Sequence, residues 1–166
     1  MDDNLERPAG LEPIPTFEEF VAFCREEFAF VQDFGFQRIP LPTKQYINPF
    51  QVRFSNSKAV LVIEGRSYGQ WALVDFENMA GVCVPDYLFA PEAKRPRHKR
   101  GDPPGGQFNA NRAAAKRVQE FCGDLLVGDM TRFDEQAGEL ARKRDEGWKE
   151  FFRSGGVDKY RYNRDE

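Results

Sequence analysis

The chain has 166 residues, a formal net charge of −3 and 40% hydrophobic residues. This length predicts a single domain over residues 1–166 that buries enough surface to fold without a metal ion or a disulfide. The N-terminus is acidic, and no apolar run approaches the ~20 residues of a membrane span. We therefore expect neither a signal peptide nor a membrane helix, and we predict a soluble cytoplasmic protein.

Three cysteines, Cys24, Cys83 and Cys122, lie far apart in the sequence. An odd number of cysteines without CxxC spacing argues against a disulfide framework and against a zinc site. We interpret all three as buried thiols in a reducing compartment, which again favours the cytoplasm.

Residues 1–15 hold three prolines and a glycine, and we predict that they form an irregular arm. A helix is predicted over residues 17–34. Thr16 can cap its first turn, and Glu19 completes a Thr-x-x-Glu capping box. Gly35 suits the left-handed position that follows a helix.

The predicted helix carries two apolar stripes when residues are placed at about 100° intervals. The first stripe comprises Phe17, Phe20, Val21, Cys24, Phe28 and Val31. The second comprises Phe23, Phe30 and Phe34. Either the fold buries both stripes, or the second stripe faces a protein partner, which makes its three phenylalanines candidate binding residues.

Three short runs rich in β-branched and aromatic residues follow, at residues 50–55, 59–64 and 71–76. They predict an antiparallel meander, in which the second run is apolar on both faces and suits a central strand. Residues 82–84 can add a fourth strand, which Pro85 ends. Residues 37–49 are expected to form a proline-rich connector.

Residues 85–108 are rich in proline and glycine and predict a long loop. The loop contains a basic run, whose charged members are Lys94, Arg95, Arg97, Lys99 and Arg100. This run is a candidate site for nucleic acid or another acidic ligand. It has no aromatic residue for base stacking, so we do not expect single-strand readout.

Two helices are predicted after the loop. The first begins at a cap formed by Asn109 or Asn111 and ends near Leu126, and the second covers about residues 131–152. Residues 153–166 form a charged tail. In the second helix an apolar face is shared by Phe133, Ala137, Leu140, Trp148 and Phe151.

A charged residue interrupts the apolar face of two predicted helices. Glu27 lies within the face of the N-terminal helix, and Arg144 lies within the face of the last helix. A buried charge is too costly to leave alone. We therefore predict that each finds an opposite charge or a hydrogen-bond partner, with pairing of the two as one option.

The predicted fold class is α+β, with an N-terminal helix, an antiparallel sheet of three to four strands in a meander, and two C-terminal helices packed on one face. Residues 16–152 are expected to form the globular core, with the loop over residues 85–108 inside it.

No catalytic set, metal site or cofactor-binding motif is evident. His98 is the only histidine, and it lies in the basic run, where we expect a solvated side chain. Asp75, Glu77 and Asp86 lie near the end of the third strand, and such carboxylates could serve as acid and base if burial raised one pKa. Carboxylates at strand ends are ordinarily solvated, so a hydrolase is the weakest of three functional hypotheses.

The first thirty residues form an acidic pole, which can steer a basic partner. In architecture and charge the chain resembles small bacterial proteins that bind and block a toxin or a partner enzyme. The first hypothesis is therefore a non-catalytic protein-binding module, with an inhibitor or immunity-like protein as one form of it. The alternative is nucleic-acid or acidic-ligand binding through residues 94–100. Neither the identity of the protein partner nor the oligomeric state follows from the sequence.

Overall fold

The computed structural model describes residues 16–41, 48–66, 71–91 and 106–153. The helices are α1 (Phe17–Glu27), α2 (Gly106–Phe121), α3 (Gly123–Leu126) and α4 (Thr131–Arg153), and the strands are β1 (Gln37–Ile39), β2 (Gln51–Ser55), β3 (Ala59–Arg66), β4 (Trp71–Asn78) and β5 (Cys83–Pro85). Two short 3-10 helices occupy Ala29–Phe34 and Asp86–Phe89. The architecture is α+β, as the sequence predicts.

Two compact units make up the chain, Met1–Met130 and Thr131–Glu166. The described part of the first unit holds the sheet and helices α1 to α3, and that of the second is helix α4. The assignment of residues 1–166 to a single domain stays a prediction. The predicted arm over residues 1–15 lies outside the described residues, as does the predicted tail apart from Arg153, which ends α4.

Helix α1 begins at the predicted capping box. The backbone N–H of Glu19 donates to Thr16 Oγ1 at 3.2 Å, and the backbone N–H of Thr16 donates to Glu19 Oε2 at 2.7 Å. The α-helix ends at Glu27 and not at residue 34, because the chain tightens into the 3-10 helix. A 3-10 helix aligns residues three apart. Phe28 and Val31 are accordingly both fully buried. Gly35 then takes the predicted left-handed conformation, with φ of 77°.

Five strands form one antiparallel sheet in the order β1-β2-β3-β4-β5. The prediction of three to four strands is therefore wrong by one or two. The additional strand is β1, which lies in the segment predicted as a connector. Strand β1 has only three residues before Pro40, too few to show an alternation of apolar and polar side chains. Its backbone hydrogen bonds are made with β2, some 15 residues away in the sequence. Strand β3 is central, as its apolar sequence predicts.

One face of the sheet forms the core of the first unit. Its inward-facing side chains are almost inaccessible to solvent: Val52, Phe54, Leu61, Ile63, Val74, Phe76 and Val84. Helix α1 packs on β2, and helix α2 packs on β4. Aromatic edge-to-face contacts join the layers, with Phe20 against Phe50 at 5.8 Å and Phe76 against Phe89 at 6.0 Å between ring centroids. The core thus accounts for much of the heavy use of phenylalanine.

The boundaries of the helices after the sheet differ from the prediction. Helix α2 begins at Gly106, so Asn111 lies inside the helix, where it is buried. The helical path breaks at Cys122 and resumes as the short α3. Gly128, with φ of 89°, ends α3, and an added Cβ there would lie 2.9 Å from Lys58 Cγ. Helix α4 covers the predicted range.

The predicted loop over residues 85–108 has regular structure at both of its described ends. A 3-10 helix forms over Asp86–Phe89, and residues 106–108 already belong to α2. Residues 92–105 lie outside the described part of the chain. None of the described helices combines the length and the apolar character needed to cross a lipid bilayer.

Candidate functional site

The three phenylalanines predicted to contact a partner have different environments. Phe23 is half-buried, and the guanidinium of Arg112 lies 5.3 Å from its ring centroid. Phe30 is half-buried and stacks on Phe28, with 6.1 Å between ring centroids. Phe34 is 37% exposed. The predicted stripe is therefore not one continuous exposed surface, because α2 and the core take up part of it.

Helices α1 and α2 are joined at their surface by an ion pair. Arg112 Nε donates to Glu27 Oε1 at 2.9 Å, which gives Glu27 the partner that the sequence predicts. A shallow groove runs along the contact between α1 and α2. The residues that line it are Glu26, Glu27, Arg112, Ala115, Lys116, Gln119 and Glu120. Both signs of charge line the groove, and most of its side chains are solvated. It therefore has neither the apolar lining nor the enclosure of a small-molecule site.

The basic run and His98 lie outside the described residues. The run comprises Lys94, Arg95, Arg97, Lys99 and Arg100, all within residues 92–105. Binding of nucleic acid or of another acidic ligand through residues 94–100 consequently stays a prediction.

Two of the three candidate carboxylates lie on the outer face of the sheet. Glu77 accepts a hydrogen bond from Arg53 at 2.8 Å, and the pair reaches across the central strand. Asp75 is on the same face of β4, two residues before Glu77. The side chains of Arg53 and Glu77 are mostly buried, at 14% and 20% exposed. This arrangement is a structural ion pair over β3, where it shields Val60 and Val62 from water.

Cys83 is exposed, which corrects the prediction that all three cysteines are buried. It belongs to the edge strand β5 and faces outward, because its neighbour Val84 faces the core. Partial burial raises the pKa of the Cys83 thiol, and the charges of Glu77 and Asp75 raise it further. A thiol held in the protonated form is a poor nucleophile. Cys83 is therefore exposed without being activated.

Cys24 and Cys122 are buried as predicted. Burial raises the pKa of the Cys24 thiol to about 12, although a hydrogen bond from Asn111 acts in the opposite direction. That bond runs from Asn111 Nδ2 to Cys24 Sγ over 3.5 Å. Among the residues that the structure describes, no group of three or more His, Cys, Asp or Glu side chains could hold a metal ion.

Asp86 is buried, which corrects the expectation that the strand-end carboxylates are solvated. Its side chain is 1% exposed, and Arg117 Nε of α2 donates to Oδ2 at 2.8 Å. Burial raises the pKa of Asp86, and the hydrogen bond and charge of Arg117 partly offset that rise. Because Arg117 belongs to the helix on the inner face, Asp86 does not meet Asp75 and Glu77. The three carboxylates do not form one catalytic site.

Among the residues that the structure describes, the largest exposed aromatic feature is at the end of helix α4. Trp148 is 55% exposed, and Phe152 is 64% exposed. With Phe151 they form a packed cluster, in which all three pairs of ring centroids are between 5.7 and 5.9 Å apart. We call these three residues the aromatic cluster. The sequence predicts an apolar face that includes Trp148 and Phe151, but this pattern does not single out the three rings as a candidate site.

Charged residues surround the aromatic cluster. Arg144, predicted to need a partner within an apolar face, is 70% exposed, and its Nε lies 3.7 Å from Asp145 Oδ1. All residues from 142 to 150 are exposed. The distal half of α4 thus presents an exposed aromatic cluster bordered by charges of both signs. Comparisons of the chain with protein-family models, with curated proteins and with solved structures find no match.

Proposed function

We propose that this chain is a non-catalytic protein-binding module, and that it contacts a partner protein through the aromatic cluster of α4. The observation that carries the proposal is the exposure of Trp148 and Phe152 beside each other on one helix. Tryptophan is among the residues most enriched at the energetic centres of interfaces. Rigid aromatic side chains also lose little conformational entropy when a partner covers them.

The exposed rings can supply a useful binding free energy. A large aromatic side chain presents roughly 150–250 Å² in total, so each half-exposed ring leaves on the order of 100 Å² uncovered. At about 25 cal/mol per Å², covering one ring gives roughly 2.5 kcal/mol. Trp148 and Phe152 together would then give about 5 kcal/mol before the costs of association. This is the magnitude expected of two hot-spot residues.

The surroundings of the cluster favour a folded protein surface as the partner. Both signs of charge border the rings, with Arg144, Asp145 and Lys149 among them. A lipid surface favours a uniformly basic border instead. An inhibitory or immunity-like role, and a cytoplasmic location, are parts of the same proposal. The three free cysteines support a reducing compartment.

Site-specific photo-crosslinking tests the proposal. An Asp145→benzoylphenylalanine variant places the probe on the side of α4 that carries Trp148 and Phe152, and a Glu146→benzoylphenylalanine variant places it on the opposite side, about 160° from Trp148, as the matched control. In lysate, we expect a discrete protein adduct at position 145 and none at position 146. Unlabelled chain should compete for the adduct, whereas chain with Trp148→Ala and Phe152→Ala should not.

Two results would count against the proposal. Equal labelling at positions 145 and 146 would mean that contacts at the cluster are random collisions. Competition by the double alanine variant that matches competition by the natural chain would mean that the rings do not bind. Since both substituted rings are largely exposed, the variant should keep its fold, and a circular dichroism melting curve checks this.

A further inference from the structure

The side of α4 that carries the aromatic cluster also carries a cation, Arg144. At about 100° per residue, Arg144 lies about 40° from Trp148 and about 20° from Phe151 around the helix axis, in a direction between the two rings. Arg144 precedes Trp148 by four residues, and side chains at this spacing are neighbours on the surface of a helix. A partner that covers both rings therefore also covers Arg144.

The guanidinium of Arg144 is available to such a partner. The side chain is 70% exposed, and its Nε lies 3.7 Å from Asp145 Oδ1. This separation is longer than the roughly 2.7–3.2 Å of an N–H···O hydrogen bond. Asp145 is itself 64% exposed, so the contact is a loose surface pair. Asp145 therefore does not satisfy the planar fork of N–H donors that a guanidinium offers.

The other charges in the distal half of α4 are divided unevenly around Trp148. Asp145 and Lys149 lie about 60° and about 100° from Trp148, whereas Glu146 and Glu150 both lie about 160° from it. We call the arc within about 100° of Trp148 the ring side of α4. In the distal half of the helix, the ring side carries two bases, counting the central arginine, and one acid. Its positive charge favours an acidic partner surface.

We infer that the partner of the aromatic cluster is a protein that presents a carboxylate within an apolar surface, and that this carboxylate binds Arg144 when the rings are covered. The inference rests on the proposed function, because it takes the cluster as the contact surface. Covering the rings removes Arg144 from water, and a charge left unpaired inside an interface opposes binding. The carboxylate of an aspartate or glutamate matches the guanidinium best, because it accepts paired, parallel hydrogen bonds from the fork.

Arginine next to tryptophan is a combination typical of the energetic centre of a protein interface. Both residue types are enriched among the residues whose truncation costs the most affinity, and interfaces favour arginine where they disfavour lysine. The charge also makes the site selective. A surface that fits the rings but places a base opposite Arg144 is repelled, and a wholly apolar surface leaves the guanidinium desolvated and unpaired.

Charge reversal at Arg144 tests the role of this side chain. In the crosslinking assay at position 145, unlabelled chain with Arg144→Glu should compete at least about tenfold less well than the natural chain. The control Arg153→Glu makes the same change in net charge about 180° around the helix from Arg144 and about 140° from Trp148, so it should compete like the natural chain. Circular dichroism melting curves check that both variants keep their fold. Competition by Arg144→Glu at the natural level would overturn the inference, and so would an equal loss with Arg153→Glu.

Zero-length coupling tests whether the partner presents a carboxylate at this point. Arg144→Lys keeps the positive charge and supplies a primary amine. In the complex enriched from lysate through an affinity tag on the chain, a carbodiimide should join this amine to an aspartate or glutamate of the partner as an amide, and its own urea carries away the oxygen that the carboxylate loses. Mass spectrometry of the digested product should locate the amide at position 144, on the same protein that forms the photo-adduct at position 145. Arg153→Lys is the control, and equal coupling at positions 144 and 153, or none at position 144, would contradict the inference.

The outcomes separate this inference from the proposed function. If the ring-dependent adduct at position 145 forms but is insensitive to Arg144→Glu, the chain binds a protein and the acidic partner is wrong. If no ring-dependent adduct forms, both are wrong.

Discussion

Replacing Arg117 by methionine tests the buried ion pair between α2 and the segment after β5. Asp86 is 1% exposed, and its Oδ2 accepts a hydrogen bond from Arg117 Nε at 2.8 Å. Arg117→Met keeps much of the side-chain volume and leaves the carboxylate buried without its cation. Breaking a buried pair in this way costs about 3–5 kcal/mol. We expect a loss of this size in the free energy of unfolding at pH 7, measured by urea denaturation.

The loss in the free energy of unfolding caused by Arg117→Met should be smaller at lower pH. Arg117 lowers the pKa of Asp86 against the effect of burial, so Arg117→Met raises that pKa further. In the folded variant, the Asp86 carboxylate is then protonated at a pH where it is still ionised in the natural folded protein. The difference in stability therefore grows as pH rises through this window, by at most about 1.4 kcal/mol per pH unit, and is smaller at pH 5 than at pH 7.

A double substitution and a matched control complete this test. Adding Asp86→Asn to Arg117→Met removes the unpaired charge, so most of the lost stability should return. Lys116→Met, at an exposed neighbouring position on α2, should change stability by no more than about 0.5 kcal/mol. The reasoning is refuted if Arg117→Met costs less than about 1 kcal/mol at pH 7, or if Asp86→Asn fails to rescue it.

Three further predictions concern the fold. Thr16→Ala removes the capping box of α1 and should lower the free energy of unfolding by about 1 kcal/mol, whereas Thr16→Ser should change it little; equal losses would mean that the hydroxyl is not the cap. Phe76→Ala should cost about 3–5 kcal/mol in urea denaturation, because Phe76 is fully buried on β4; a loss below about 1 kcal/mol would place it outside the core. For Asp86→Asn, stability relative to the natural protein should rise as pH increases above about 4, since the raised pKa of Asp86 means that its ionisation destabilises the folded state. Asp33→Asn, at an exposed carboxyl, is the control, and parallel pH profiles of the two variants would contradict the assignment.

The features that the sequence predicts correctly depend on local physics. The capping box of Thr16 and Glu19 involves residues three apart, and the left-handed Gly35 involves a single residue. Strands β2, β3 and β4 follow from short runs that are rich in β-branched and aromatic residues. The same holds for the range of α4, whose periodic apolar face is visible in the sequence alone. Each of these signals needs no knowledge of distant residues.

The features that the sequence does not predict depend on contacts between distant segments. Strand β1 is too short to show a pattern and exists because β2 pairs with it. Asp86 resembles a solvated turn residue until Arg117, 31 residues later, is brought against it. The exposure of Trp148 is a third case, because periodicity shows that α4 has an apolar face but does not give the exposed fraction of each side chain on it. The sequence does contain a signal for the aromatic cluster. Three of the five residues from 148 to 152 are aromatic, in a segment otherwise dominated by charged residues.

The most direct test of the protein-binding account is the environment of Trp148 itself. The chain has two tryptophans, so Trp71→Phe leaves Trp148 as the single site for a 5-fluorotryptophan label. In dilute buffer its ¹⁹F resonance should be sharp and typical of an exposed indole. In native lysate it should shift and broaden, and it should return to the dilute form in a Phe152→Ala variant or in protease-digested lysate. A resonance in native lysate that matches the dilute one would contradict the claim that a protein partner covers the aromatic cluster.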